Sequence, residues 1–505
     1  MRRFLLILVI LAGASFGACH WLLPERFAVN APIGHLLFQR GVDAPPAATV
    51  AERLRVPEGF SIGQFFTGLP NARFLRPTET GDLLVSVPRT GSVHLLERDA
   101  DGDGRADGNR TLLEGLEKPH GLDLHQGWLY VAEGNAIGRI RFDPLARATS
   151  GAYQRIVSGL PEKGNHWTRT VRVGPDGWLY LSIGSSCNVC EEKDPRRAAL
   201  LRMRPDGSGQ EIYASGLRNT VGFDWRPATG ELFATDNGRD LLGDDFPPCE
   251  LNRITQGGFY GWPYANGENV PDPDFGAGHE ARIAAALPPV HGFRAHNAPL
   301  GIVFLRAPPA GDAYAGAALV ALHGSWNRTR KDGYKVVSLH WDADGKIEER
   351  DFAVGFEADG ELIGRPVDVA EGPDGAVYIS DDYAGVIYRV TRAPAAAPRG
   401  GAPAAAAPPG RVDPLAALAG DERAELARSG RSLWEVHRCA GCHEAAAADP
   451  GVVVVPLQDL AARHSIESLA ALLATPTPPM PVIALTAQER RALAVHLLAP
   501  APRAP

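Results

Sequence analysis

Cysteine is scarce in this chain. Six in 505 residues are too few for a disulfide-built scaffold, so each needs its own explanation. Methionine is scarcer, with three. Positive charge is in the minority, 51 Lys and Arg against 59 Asp and Glu for a formal charge of −8, which leaves no basic face for a nucleic acid. Hydrophobic residues at 45% and charged residues at 22% exclude wholesale disorder and a polytopic membrane protein. What abounds is Gly (56) and Pro (42), together about a fifth of the chain against a usual ~12%. Such an excess favours tight turns, and so strands over a helical bundle.

The one long apolar run opens the chain. Arg2 and Arg3 precede Phe4 to Leu11, and the run continues through small residues to Trp21-Leu22-Leu23. A basic start and an apolar core are the pattern of an export signal. At close to ~20 residues the run is also long enough to remain as an anchor. Residues 1–23 are therefore expected to be a cleaved signal peptide or an N-terminal membrane anchor. A lipoprotein at Cys19 would need Leu where Phe16 stands. In all three cases the basic end stays inside and the bulk of the chain lies in the periplasm.

From about residue 60 to 392 one pattern recurs: a turn with Gly, an alternating strand, a short loop, then a second strand. Gly81–Val87 leads to Gly91–Leu96, Gly127–Ala132 to Ile137–Phe142, and Gly177–Ser182 to Leu200–Met203. Gly230–Thr235 leads to Glu250–Ile254, Ala318–Leu322 to Tyr334–Leu339, and Gly375–Ser380 to Gly385–Val390. Copies spaced mostly by roughly 50 residues are the size of a four-stranded propeller blade. A Gly/Pro-rich insertion, around Gly261 to Pro289, widens the gap before the fifth. Six similar units fit a ring better than a sandwich. The expected fold is mainly β, a six-bladed β-propeller over 55–392. An Ala/Pro-rich linker follows over 393–414, then a small all-α domain over 415–499. In the latter, Thr486 and Glu489 form a capping box and Ser465 opens another helix.

Cys439-Ala440-Gly441-Cys442-His443 is the C-x-x-C-H pattern of covalent haem c attachment. Two thiols at this spacing reach the two vinyl groups of one porphyrin, and His443 is placed to ligate the iron. Gly430 and Trp434 on the helix leading in, Pro456-Leu457 beyond, and Met480-Pro481 before the final helix complete a likeness to class I cytochrome c. Met480, the only Met after the haem motif, is the expected second axial ligand, with His437, His464 and His496 as rivals.

A haem domain without substrate chemistry needs an electron source. In the propeller, Asn165-His166-Trp167-Thr168-Arg169, Ser215-Gly216-Leu217-Arg218-Asn219, Asp236-Asn237-Gly238-Arg239, Gly257–Pro263 and Gly364-Arg365-Pro366-Val367-Asp368-Val369 occur in that order. Together they resemble the soluble glucose/sorbosone dehydrogenases, propellers that bind pyrroloquinoline quinone (PQQ) and Ca²⁺. His166–Arg169 and His323-Gly324-Ser325-Trp326-Asn327-Arg328 point to the sorbosone-dehydrogenase branch. The resemblance implies His166 as general base, a role that suits His near neutral pH. It implies Arg218, Arg365 and Asn219 as holders of PQQ, with His120, His296 and Trp326 lining the same channel mouth. It implies the backbone carbonyls of Gly238 and Arg239 as ligands of a catalytic Ca²⁺, a hard cation that suits oxygen donors. Cys249 stands where the family usually has Asp, and the sugar-contacting loops do not align.

Two features stand apart. Asp99, Asp101, Asp103, Arg105 and Asp107, with Gly104 at the sixth position, match the start of a Ca²⁺ loop. The twelfth position is Arg110 rather than Glu, so a surface Ca²⁺ staple competes with a solvated acidic turn. Cys187-Asn188-Val189-Cys190 reads first as a local disulfide in an oxidising compartment; a zinc half-site lacks partners and a redox pair lacks its context. Cys249 is free or pairs with one of these two.

The expected activity is oxidation of an aldose or sorbosone-like sugar by PQQ. Electrons would pass to the haem and on to an external acceptor, another cytochrome or a terminal oxidase. The alternatives are a metal-dependent lactone hydrolase, which needs carboxylates converging on the channel, and a glycan-binding propeller tethered to a redox domain.

Overall fold

The computed structural model describes residues 28–30, 41–308, 311–392, 415, 418–443, 457, 460, 464–474, 483 and 485–499. The expected leader 1–23, the linker 393–414 and Met480 lie outside the described residues. The chain divides into two compact units, residues 1–396 and 397–505.

The first unit is a six-bladed β-propeller. Each blade is an antiparallel sheet of four strands, and the third gains a fifth from the parallel pairing of Gly258–Phe259 with Glu211–Ser215. The recurring strand pairs of the sequence are the two middle strands of each blade. Leu83–Val87, Leu179–Ile183, Leu232–Asp236, Ala318–Leu322 and Val377–Asp381 are buried at every position. Blades stack face to face, so a middle strand has no solvent side. This corrects the expectation of alternating strands: Leu83-Leu84-Val85-Ser86-Val87 is a near-continuous apolar run because both faces are covered. Leu83, Leu129, Leu181 and Leu319 are fully buried, and each such side chain contributes about 1.5–3 kcal/mol.

The ring closes with a strand from the start of the chain. Phe60–Thr67 pairs antiparallel with Val386–Arg392, setting Ser61 opposite Thr391 and Ile62 opposite Val390. Phe65 then lies edge-on to Tyr378, ring centres 5.0 Å apart, inside an apolar cluster shared by the last and first blades. Closure removes the free edges that an open sheet would present.

The innermost strands are Leu75–Pro77, Leu122–His125, Arg169–Val173, Thr220–Trp225, Pro299–Phe304 and Pro366–Glu371. Towards one end of the channel, carboxylates tie neighbouring blades together. Asp123 accepts the Val173 N–H at 2.6 Å, Asp224 the Phe304 N–H at 2.8 Å, and Asp368 the Leu75 N–H at 2.8 Å. Each bond joins an even blade to the next odd one. Arg76 pairs with Asp123 at 2.8 Å, and Arg172 and Arg306 pair with Asp224 at 3.2 and 3.0 Å.

The insertion before the fifth blade forms a small hairpin, Ala265–Asn266 with Val270–Pro271, a short helix Glu280–Ala284, and the outer strand of the fourth blade, His291–Phe293. Among the described residues no helix is long and apolar enough to cross a membrane.

The second unit holds helices Gly420–Val436, Ala440–His443, Ile466–Ala474 and Ala487–Leu498. The capping box at Thr486 and Glu489 is present. The first and last of these helices cross tightly: a Cβ on Gly430 would lie 2.2 Å from the Ala492 carbonyl oxygen. Glycine is required there by close approach, not by conformation.

Candidate active site

Five candidate stretches of the propeller, and Arg73 with them, sit one to three residues before an innermost strand. Arg73 precedes Leu75–Pro77, His120 precedes Leu122–His125, His166 precedes Arg169–Val173 and Arg218-Asn219 precedes Thr220–Trp225. His296 precedes Pro299–Phe304 and Arg365 precedes Pro366–Glu371. The propeller turns these loops to one end of the channel, so residues almost 300 positions apart form one ring.

His166 is partly exposed. Its Nδ1 donates to the Ser185 carbonyl at 2.9 Å, with the Ser185 hydroxyl at the same distance. That leaves the Nε2 lone pair facing outward, without a partner among the described residues. Burial, and then the charge of Arg218, lower its pKa to about 3, so the ring is neutral near pH 7. Asn219 is its neighbour: a Cβ on Gly184 would lie 2.5 Å from Asn219 Oδ1 and 2.7 Å from the His166 Cβ. Asn219 Oδ1 is buried without a hydrogen-bond partner.

Arg218 and Arg365, equivalent in the sequence, differ in the structure. Both backbone N–H groups are held by an aspartate ending the second strand of their own blade, Arg218 by Asp236 at 2.8 Å and Arg365 by Asp381 at 2.9 Å. Arg218 then makes five further hydrogen bonds, as many as a guanidinium has N–H donors. Nε reaches Asn188 O at 2.8 Å; Nη1 reaches Asn237 O at 3.1 Å and Gly238 O at 2.8 Å; Nη2 reaches Asn188 Oδ1 at 2.8 Å and Asp240 Oδ2 at 2.9 Å. No donor is left over for a ligand. Arg365 uses Nε and Nη2 on the His323 carbonyl at 3.3 Å, on His323 Nδ1 at 3.1 Å and on Gly324 O at 3.5 Å. Its Nη1 makes no hydrogen bond among the described residues.

The mouth continues from Arg365 through His323 to Asp382 and Arg73, two residues that the sequence did not single out. His323 Nε2 meets Asp382 Oδ1 at 2.9 Å, and Arg73 Nη1 meets Asp382 Oδ2 at 2.5 Å. Arg73 lies over the Trp167 ring at 5.4 Å, and Trp167 stands edge-on to His120 at 5.7 Å. His120 is fully buried, donates from Nδ1 to Arg169 O at 3.2 Å and has an unpartnered Nε2. Burial, reinforced by Arg73, holds its pKa well below the usual value. Asp240, also missed, stands between Arg218 and His296, whose Nδ1 is 3.7 Å away. Trp326 is 36% exposed, and its carbonyl accepts from the Asn30 N–H at 2.9 Å. No periodicity marks Arg73, Asp240 or Asp382; position before an innermost strand, or after a second one, is the only sign they carry.

Arg365, a cation with free donors, suits an anionic quinone; Asn219 Oδ1 and His120 Nε2 are buried acceptors without a hydrogen-bond partner and suit a donor group on the ligand. The mouth suits Ca²⁺ only in part. Gly238 O already accepts from Arg218, so a metal on the Gly238 and Arg239 carbonyls would share that oxygen with a guanidinium. The acidic loop is likewise occupied. Asp99, Asp101 and Asp107 bring carboxylate oxygens within 4.8 Å of one another. Asp99 nevertheless accepts from the Gly102 and Gly104 N–H groups at 2.8 and 3.0 Å and from Arg389 at 2.8 Å. Asp101 and Asp103 accept the N–H groups of Asp103 and Arg105. The loop closes on itself.

Cys187 and Cys190 form a disulfide, and Cys249 is a free, buried thiol whose pKa burial raises to about 11. In the helical unit the His443 N–H donates to the Cys439 carbonyl at 3.2 Å. The His443 ring lies 5.9 Å from that of Trp434. A cavity of about 630 Å³ is lined by Trp434, Gly441 and His496, among others. Cys439 directly precedes the short helix Ala440–His443, which lines the cavity through Ala440 and Gly441.

Residues 130–389, just over half the chain, match the family described as Glucose / Sorbosone dehydrogenase. An uncharacterised protein of Borreliella burgdorferi is 30% identical over 363 residues, 68% of this chain and 92% of its own. The pyrroloquinoline quinone-dependent pyranose dehydrogenase of Coprinopsis cinerea is 24% identical over 352 residues, 59% of this chain. The match spans 46% of that enzyme, about half its length. The holo PQQ domain of the Coprinopsis pyranose dehydrogenase has the same fold, with a TM-score of 0.59 at 21% identity over 69% of this chain and 98% of that one.

Proposed function

Because the chain belongs to the glucose/sorbosone dehydrogenase family, we propose that it is a PQQ-dependent dehydrogenase of an aldose or sorbosone-like sugar. We propose further that it passes electrons to its own haem c, in the periplasm, and on to another cytochrome or a terminal oxidase. The observation that carries the reading is the neutral His166, tied at Nδ1 and open at Nε2, in one ring with the free Nη1 of Arg365.

When bound, PQQ supplies the acceptor for the hydride that leaves the sugar carbon. His166 Nε2 takes the hydroxyl proton in the same event, and the Ser185 carbonyl holds the ring in the tautomer that can do so. A pKa of about 3 is low for a base working near neutrality; an anionic cofactor beside the ring raises it. Arg365 Nη1 would hold a carboxylate of the cofactor, and Arg218 contributes its charge and the shape of the Asn237–Asp240 turn. Asn219 offers its amide. No step is assigned to Ca²⁺, given the contact between Arg218 and Gly238. Cys439 and Cys442 would carry the haem, with His443 and Met480 on the iron.

A lactone hydrolase needs channel carboxylates free to hold a metal. Asp123 and Asp224 are instead paired with arginines and, like Asp368, bonded to backbone N–H groups. The test is to load the full-length apo-protein with PQQ and Ca²⁺ and offer aldoses and sorbosone. Dye reduction together with bleaching of the oxidised haem band is expected. Sugar binding without reduction would leave the glycan-binding alternative, and lactone hydrolysis without PQQ would leave the other.

A further inference from the structure

The C-x-x-C segment has so far only closed a loop, yet one residue inside it, Asn188, makes five hydrogen bonds to Arg218, Asp240 and Trp262. We infer that Asn188, held between Cys187 and Cys190, is the positioning residue for Arg218 and for the Asn237–Asp240 turn. This inference rests on the reading of the mouth as a cofactor site.

Asn188 uses both ends of its amide and its backbone carbonyl. Oδ1 accepts from Arg218 Nη2 at 2.8 Å and from the Asp240 N–H at 2.9 Å. Nδ2 donates to Asp240 O at 3.1 Å. The carbonyl oxygen accepts from Arg218 Nε at 2.8 Å and from Trp262 Nε1 at 3.4 Å. Asn188 thus grips two sides of one guanidinium while mimicking a strand partner for Asp240. Only a primary amide offers an acceptor and a donor in this arrangement.

The loop lacks regular structure of its own, and ordering it costs backbone entropy. The disulfide limits that cost by joining the residues on either side of Asn188 and Val189. The same segment also reaches His166: Ser185, which holds the imidazole, donates from Oγ to Cys187 O at 2.7 Å, and its N–H donates to Arg218 O at 2.7 Å. The base and the cation therefore share one support. Without the Asn188 amide, Nη2 of Arg218 loses one of its two acceptors, while Nε keeps the backbone carbonyl of residue 188. The guanidinium is then held less firmly beside Gly238 and Asp240, and the turn that carries the proposed metal carbonyls loses its cross-link.

The experiment uses the full-length apo-protein and two readouts. The first is a PQQ titration with Ca²⁺ present, on wild type, Asn188→Ala, Arg218→Ala and the double variant. Each single change is expected to weaken uptake by about tenfold or more, as loss of hydrogen bonds to a charged group implies. The double variant is expected to bind within about twofold of Arg218→Ala, because one residue acts through the other. The second readout needs no cofactor: amide hydrogen exchange at Asp240 should accelerate in Asn188→Ala. Asn188→Asp keeps both acceptor contacts but sets a carboxylate oxygen against the Asp240 carbonyl, so exchange at Asp240 should accelerate in it too. Exchange at Asp240 unchanged in both variants, or losses of uptake that multiply in the double variant, would overturn the inference. A wild-type protein that takes up no PQQ would instead overturn the preceding reading, while exchange at Asp240 would still decide this one.

Discussion

Arg365 donates from Nη2 to Nδ1 of His323 at 3.1 Å. That contact obliges the imidazole to carry its proton on Nε2, where it meets Asp382. Arg73 closes the chain from the other side, so four side chains from three blades fix one tautomer and one carboxylate at the channel mouth. Burial and then Arg365 lower the His323 pKa to about 3. Asp382 stays far below the usual carboxylate range despite its burial, because His323, Arg73 and Arg365 surround it.

Both shifts make the propeller acid-sensitive in the same direction. His323 binds a proton near pH 6.5 when unfolded but only near 3 when folded, so stability falls as pH drops through that window. Asp382 adds stability above its unfolded pKa, lost as pH falls further. The melting temperature of the propeller should therefore decline from pH 7 to pH 4, and His323→Gln should flatten part of that decline. An identical slope in wild type and variant would show that this network does not titrate on unfolding.

Replacing His166 by Ala should cut kcat by a factor of about 10²–10⁴, the usual contribution of a general base, while PQQ uptake persists. Stopped-flow turnover and a cofactor titration on the same sample check both halves. A variant retaining more than a tenth of wild-type kcat would remove His166 from the role.

Arg365→Ala should weaken PQQ uptake by about tenfold or more, since a charge-assisted bond to a carboxylate is lost. Arg365→Lys should recover little, because Lys cannot hold His323 and a ligand at once. Equilibrium titration of the apo-protein reads both variants, and full recovery by Lys would argue for charge alone.

Gly430→Ala places a methyl carbon 2.2 Å from the Ala492 carbonyl oxygen. The helices must separate, at about 1–3 kcal/mol. Thermal unfolding of the helical unit, followed by far-UV circular dichroism, should shift down while the β-rich transition stays in place. An unmoved helical transition would mean that the two helices do not cross this closely.

Sugar oxidation releases two electrons and one haem accepts one. If each haem is reduced by its own propeller, the rate of haem reduction after mixing with sugar should not depend on protein concentration. A rate proportional to concentration would show transfer between molecules.

The sequence alone determined the architecture of the propeller and the identity of the motif residues. Turn glycines and apolar middle strands recur six times because every blade repeats the same burial. His166, Arg218, Asn219 and Arg365 stand in short runs of unusual composition. The outer strands were not legible: Ala148–Ser158 and Ile347–Ala353 face water over much of their length, and little in their residue types separates them from loops. Phe60–Thr67 gave no hint that it closes the ring, since its partner lies more than 300 residues away.

Only the tertiary structure decided what each motif residue has left to offer. Two arginines look alike in sequence, yet Arg218 has every donor engaged and Arg365 keeps both N–H groups of Nη1 free. That difference depends on which acceptors neighbouring loops bring within about 3 Å, and loops from different blades meet only when the ring closes. Asn188, Asp240 and Asp382 take their place at the mouth for the same reason. A residue type states which bonds are available; the closed ring determines which remain unmade.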